Sequence, residues 1–227
     1  MTKGFPVARC RDERRLRPEA AWLLLLLLLA LPLSAAERPV LLVMGDSLSA
    51  GYGIEHEAGW VSLLSERLEG KAQVVNASIS GETSRGGAAR LPDLLRQHAP
   101  DIVLIELGGN DGLRGLPPAQ MRANLAGMIE ASRAAGARVL LLGIDIPPNY
   151  GSAYREAFTG VFSGLAERFD VPLVPFLLDG VALDASLMQN DGLHPTAAAQ
   201  PTILANVWPA LAPLLEDKGV ALAARQE

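Results

Sequence analysis

The chain carries one cysteine, Cys10, in 227 residues. A single thiol excludes a disulfide framework and a cysteine-based zinc site. Histidine is almost as scarce: His56, His98 and His194 are scattered and offer no metal-ligand spacing. Aromatic residues make up 5% and charged residues 20%, with 20 Lys and Arg against 25 Asp and Glu, a net charge of −5. Nucleic-acid binding needs grouped cations to neutralise phosphates, and an acidic chain of this kind is a poor candidate for it. There is no internal repeat, no low-complexity tract and no linker rich in Pro, Gly and Ser. What the chain has instead is apolar mass, 49% of its residues with a mean hydropathy of +0.21, which excludes disorder.

Part of that mass lies at the N-terminus. Met1 to Glu19 holds six basic residues (Lys3, Arg9, Arg11, Arg14, Arg15, Arg17) against three acidic ones. Ala20 to Leu33 is apolar at 13 of 14 positions, and Ser34-Ala35-Ala36 follows with small side chains. A basic segment, an apolar run and a small-residue site make a secretory signal. The expectation is a signal peptide over 1–36, cleaved after Ala36, followed by a single domain over 37–227. The run is shorter than the roughly 20 residues of a membrane span, so no stable span is expected after cleavage. The competing reading is an uncleaved N-terminal anchor. Cys10 precedes the run and so cannot be a lipobox cysteine. The mature chain would have no cysteine, and 14 basic residues against 22 acidic ones would give it a net charge of −8. A monomer located in the periplasm or secreted is expected.

The remaining sequence alternates two periodicities. Pro39–Gly45, Ala72–Ala77, Asp101–Leu107, Ala137–Gly143 and Val171–Val174 are short apolar runs, as in strands buried on both faces. Between them, Gly59–Leu68, Arg85–His98, Pro118–Ala135 and Tyr154–Phe169 carry apolar residues at helical spacing. Thr196–Leu215 reads as a last helix, bent or broken by Pro201 and Pro209. This alternation predicts an α/β fold, a three-layer α/β/α sandwich on a five-stranded parallel sheet with right-handed crossovers.

In a parallel sheet, ligands bind at the carboxyl ends of the strands. Five Gly-rich polar turns converge on that edge: Gly45–Ser49, Ser78–Thr83, Gly108–Gly112, Ile144–Gly151 and Asn190–Pro195. A serine hydroxyl is a weak nucleophile without an adjacent base. His56 sits between two glutamates in a loop and His98 ends a polar helix, which leaves His194 as the base available to Ser47. Asp191, three residues earlier, can reach Nδ1 of His194 and leave Nε2 as the acceptor. Alone, this Asp-x-x-His spacing also reads as an ordinary helix N-terminus. Acyl transfer needs donors for a developing oxyanion. The N–H of Ser47, the N–H of Gly81 and the amide of Asn110 are the candidates, though Gly81 and Asn110 each also suit a plain turn.

Taken together these blocks resemble the SGNH (GDSL-type) hydrolases. Gly45-Asp46-Ser47-Leu48-Ser49, the segment around Gly81, Gly108-Gly109-Asn110-Asp111 and Asp191-Gly192-Leu193-His194-Pro195 follow the order of that family's four blocks. Ile105–Gly115 and Pro147–Gly151 resemble loops of its periplasmic multifunctional thioesterase/protease/lysophospholipase subgroup. The resemblance implies a flavodoxin-like sheet, with Ser47 as nucleophile, His194 as base and Asp191 as its orienter. It implies an oxyanion hole of Ser47, Gly81 and Asn110, with no cofactor and no metal. It also implies that the loop from Gly112 to Pro117 moves over a bound acyl chain. Candidate substrate-binding residues are Gly112, Leu113, Ile146, Pro147 and Tyr150. The Gly-x-Ser-x-Gly elbow of α/β-hydrolases is missing.

The activity so implied is a serine esterase acting on small-molecule acyl esters and thioesters (aryl esters, acyl-CoA-type thioesters, lysophospholipids) through an acyl-Ser47 intermediate. A histidine base predicts activity that falls on acidification. Two other classes are weaker. A non-catalytic module binding a small anion at this edge would have only Arg85 and Arg114 near it, and metal-dependent hydrolysis lacks a ligand set.

Overall fold

The computed structural model describes residues 1–2 and 38–222. Nearly all of the predicted leader, with Cys10 and the cleavage point after Ala36, lies outside the described residues, as does 223–227. From Arg38 the described chain forms one unit.

Five strands, β1 (Val40–Gly45), β2 (Gln73–Asn76), β3 (Ile102–Glu106), β4 (Arg138–Leu142) and β5 (Leu173–Val174), pair in parallel in the order β2-β1-β3-β4-β5. Along β1 the side chains alternate between two cores, as the pleat requires. Leu41 and Val43 pack with Trp60 and Leu64 of α2 (Trp60–Arg67) and with Ile203, Val207 and Leu211 of α7 (Gln200–Asp217). Leu42 and Met44 face the other way. They pack with Leu91 of α3 (Ser84–His98), Leu125 and Ile129 of α5 (Pro118–Ala134), and Phe158 and Phe162 of α6 (Ser152–Phe169). Both faces of the sheet are thus covered, which is why its strands read as continuous apolar runs. The three-layer, flavodoxin-like fold expected from the sequence is the one observed.

The strand order reverses between β1 and β3, and in such sheets the ligand crevice opens at that switch point. Register brings the two strand ends level, with Gly45 opposite Glu106. Two short helices begin there, where the sequence predicts turns: α1 (Ser47–Ala50) after β1 and α4 (Gly109–Leu113) after β3.

The last helix departs from expectation. It starts at Gln200, after a 3-10 turn over Ala197–Ala199, and runs unbroken to Asp217. Pro201 falls in its first turn, where the missing N–H has no intrahelical acceptor to lose. Pro209 and Pro213 lie inside it, and the burial of Ile203, Val207, Leu211 and Leu215 along one face holds the helix together across them. No helix among the described residues is long and apolar enough to cross a membrane.

Candidate active site

The chain leaves β1 at Gly45 and turns through Asp46 into α1, whose first residue is Ser47. Asp46 caps that helix, its Oδ1 accepting the N–H of Leu48 at 3.0 Å. The first residue of a helix has no intrahelical acceptor for its own N–H. At Ser47 the edge of the sheet therefore offers both a hydroxyl and an N–H outside the helical ladder.

His194 comes from a short hairpin across the edge. Met188 bridges Pro195, and the N–H of Gln189 donates to the carbonyl of His194 at 2.7 Å. Within the hairpin, Asp191 Oδ1 accepts the N–H groups of Leu193 at 2.9 Å and His194 at 3.0 Å. Asp191 Oδ2 lies 2.7 Å from Nδ1 of the His194 ring. A carboxylate can only accept, so Nδ1 carries the hydrogen and Nε2 is left as an acceptor. Nε2 lies 2.9 Å from Ser47 Oγ, so the serine hydroxyl donates to it. The hydrogen bond from the His194 ring, backed by the two backbone donors, holds Asp191 down to about 2. The Tyr52 ring lies against the imidazole with centroids 4.4 Å apart. Gln189 Nε2 clips the two loops together, donating to the carbonyls of Tyr52 at 2.8 Å and Pro195 at 3.0 Å.

Gly81 sits exposed in the turn after β2 with φ +80°, a left-handed conformation that glycine adopts without strain. Its carbonyl accepts from Arg114 Nη2 at 3.0 Å, which ties this turn to the end of α4. Asn110, in the first turn of α4, donates from Nδ2 to Asp46 Oδ2 at 3.0 Å. The residues of the four blocks thus meet at one edge, Ser47, His194 and Asp191 in a continuous hydrogen-bonded line. His56 and His98 stay apart from it. Among the described residues, no group of three or more His, Cys, Asp or Glu side chains is arranged to hold a metal ion.

Beneath the edge lies a layer that sequence reasoning missed. Glu106, the last residue of β3, is fully buried, and its Oε2 accepts the N–H of Asp46 at 3.1 Å and the hydroxyl of Ser49 at 2.7 Å. Its Oε1 has no hydrogen-bond partner. Burial, aided by the charge of Asp46, pushes Glu106 well above the usual carboxylate range. Burial also pushes Asp46 up to about 6, against the opposing pull of the Leu48 N–H and the Asn110 amide. Asp111, also buried, accepts the N–H of Ser84 at 2.8 Å and its hydroxyl at 2.6 Å. One signal for this layer was available: Glu106 interrupts the apolar run Asp101–Leu107, and a carboxyl inside a buried strand needs a reason.

The substrate-binding candidates form a neighbouring cluster. A Cβ on Gly112 would come within 2.6 Å of Ile146 Cγ2 and 2.8 Å of Phe158 Cε2. Gly112 is thus required by close packing of α4 on the core. Ile146 is buried, and Pro147 and Tyr150 are half-buried. The hydroxyl of Tyr150 donates to the carbonyl of Leu113, and that of Tyr154 to the carbonyl of Leu116, both at 2.7 Å. Both ends of the loop from Gly112 to Pro117 are held in this structure. A surface groove lined by His56, Val61, Glu66 and Asn76 does not include Ser47 or His194.

Residues 43–200 match the GDSL-like lipase/acylhydrolase family. The chain is 55% identical over 192 residues to the esterase TesA of Pseudomonas aeruginosa, covering 83% of this chain and 96% of that protein. It is 51% identical over 178 residues to thioesterase 1/protease 1/lysophospholipase L1 of Escherichia coli (strain K12), covering 78% and 86%. Among solved structures, the crystal structure of TesA superposes with a TM-score of 0.75 at 57% identity, covering 77% of this chain and 99% of that one.

Proposed function

The chain belongs to the GDSL-like lipase/acylhydrolase family, and from that premise we propose that it is a serine esterase and thioesterase that works through an acyl-Ser47 intermediate. The observation that carries this reading is the line from Asp191 Oδ2 to His194 Nδ1, and from His194 Nε2 to Ser47 Oγ. His194 takes the hydroxyl proton as Ser47 Oγ attacks the acyl carbon. The oxyanion that forms is held by the N–H of Ser47, the N–H of Gly81 and Nδ2 of Asn110. As the tetrahedral species collapses, the C–O or C–S bond breaks and His194 passes its proton to the departing alcohol or thiol. Water then attacks the acyl-serine with His194 again as base, which releases the acid and restores Ser47.

Substrate class follows from the relatives, which bear the names esterase and thioesterase/protease/lysophospholipase. Acyl esters, aryl esters, acyl-CoA-type thioesters and lysophospholipids are the substrates of this reading. Gly112, Leu113, Ile146, Pro147 and Tyr150 supply the apolar side that receives the acyl group, reached through α4. Residues 1–36 are an export signal and 37–227 a single hydrolase domain, so the enzyme acts in the periplasm or outside the cell. A monomer suffices for this scheme, since every group in it comes from one chain.

A fluorophosphonate probe should label Ser47, and Ser47→Ala should lose both labelling and hydrolysis of a p-nitrophenyl ester. Full turnover by Ser47→Ala would overturn the reading.

A further inference from the structure

An asparagine in an oxyanion hole works in only one of its two orientations. With Nδ2 toward the reacting carbonyl it donates to the oxyanion; turned over, Oδ1 would repel it. The two orientations have nearly the same shape, so packing alone selects weakly between them.

Asp46 makes the selection. Its Oδ2 lies 3.0 Å from Asn110 Nδ2, and a carboxylate can take only the NH2 end of a carboxamide as partner. Asp46 is held in turn from two sides. Its Oδ1 accepts the N–H of Leu48, and its own N–H donates to Glu106 Oε2, which the Ser49 hydroxyl also holds. Asp46 is 2% exposed and Glu106 is not exposed at all, so water does not compete for these bonds. A rigid path therefore runs from the end of β3, through the residue before Ser47, to the side chain of Asn110.

Resting on the reading of Asn110 as an oxyanion donor, we propose that Asp46 is a positioning residue for the oxyanion hole, fixing the Asn110 amide so that Nδ2 serves the reacting carbonyl. The alternative is that Asp46 matters only as the N-cap of α1. The two roles separate cleanly, because asparagine caps helices as well as aspartate does. In Asp46→Asn, Oδ1 can still accept from Leu48, and the volume is unchanged. The atom facing Asn110, however, becomes an NH2. Two donors then oppose each other, and Asn110 relieves the clash by turning its Oδ1 into the hole.

The test is a double-mutant cycle of Asp46→Asn and Asn110→Ala. kcat and KM are measured on a p-nitrophenyl ester and normalised to sites titrated with a fluorophosphonate. Asp46→Asn alone should lower kcat by about 100-fold, the loss typical of removing one oxyanion donor, with KM little changed. On the Asn110→Ala background the same substitution should cost less than about 3-fold, because the group it acts through is gone. A cap-only role would leave kcat per titrated site untouched. Should Asp46→Asn fail to fold, Asp46→Ser keeps a capping oxygen and passes through the same cycle. An Asp46 variant with normal kcat, or an equal loss with and without Asn110, overturns the proposal while the oxyanion reading stands. A normal kcat for Asn110→Ala overturns both.

Discussion

Two aspartates serve the surroundings of Ser47, one on the rim and one beneath it, and the protein pushes them in opposite directions. Asp191 is well exposed, its side chain 39% accessible, and three N–H groups point at it. Those donors hold it down to about 2. Asp46 is buried and receives two, from Leu48 and Asn110, and lost hydration outweighs them, raising it to about 6. The difference teaches that a carboxylate near a reacting group is set by counting donors against water removed. On the rim the charge is secured and its direction fixed. In the floor the charge is costly, and what it provides is orientation.

The rim is where function should break first. Asp191→Asn keeps the shape of the side chain but removes its acceptor-only character, so the imidazole is no longer confined to the tautomer with Nε2 free. kcat should fall by roughly 10³–10⁴-fold, the scale of tautomer loss in a Ser-His-Asp triad. Because the site is solvated, the midpoint of thermal unfolding should hardly move. A fall in stability with little loss of kcat would reverse the assignment of rim and floor.

The same divide explains what could be read from the chain beforehand. Asp191 and His194 lie three residues apart on one turn, so their pairing is written in local spacing. The central strands were legible for a similar reason, since burial on both faces leaves continuous apolar runs such as Val40–Gly45. The floor is built across distance. Asn110 reaches Asp46 over a separation of 64 residues, and Ser49 reaches Glu106 over 57. Nothing local marks Ser49 or Ser84 as partners of carboxylates; the register of β1 on β3 brings Ser49 to Glu106, and the placing of β2 and β3 on either side of β1 brings Ser84 to Asp111. The helix α4 is not legible because four of its five residues, Gly-Asn-Asp-Gly, are weak helix formers, and it is capture of Asp111 by Ser84 and packing of Gly112 on Ile146 that shape it.

Stability against pH should separate the two aspartates next. Asp46 holds its proton more tightly folded than unfolded, with 3.8 raised to about 6. Between about pH 4 and 6 the native chain therefore binds more protons than the unfolded one. Stability falls as pH rises through that window and levels off above it, by on the order of 3 kcal/mol from this group. Asp191 has the opposite sign: its contribution is present above 3.8 and is lost only as pH falls toward 2, and solvent screening keeps it small. Urea unfolding at about pH 4.5 and about pH 7.5 should show Asp46→Asn gaining about 2 kcal/mol on the parent chain at the higher pH, since part of the loss is already complete at pH 4.5. Parallel behaviour at both pH values would mean that the buried charge is offset by something other than its two donors.

Asp111 supplies the intermediate case and the finest test of the comparison. It is buried like Asp46, at 3% exposure, yet it is supplied with strong donors as Asp191 is: the N–H and hydroxyl of Ser84, the hydroxyl in turn accepting from Asn124 Nδ2 at 2.9 Å. Ser84→Ala removes one of two bonds to a buried carboxylate and strands the Asn124 amide. A hydrogen bond to a charged group contributes about 2 kcal/mol, which in a domain of this size lowers Tm by roughly 4–8 °C. Asn110 is oriented from the Asp46 side, so kcat per titrated site should stay within about 3-fold of the parent. If kcat instead falls along with Tm, the orientation of Asn110 depends on the backbone of α4 as well as on Asp46, and the floor works as one coupled layer through both of its buried aspartates.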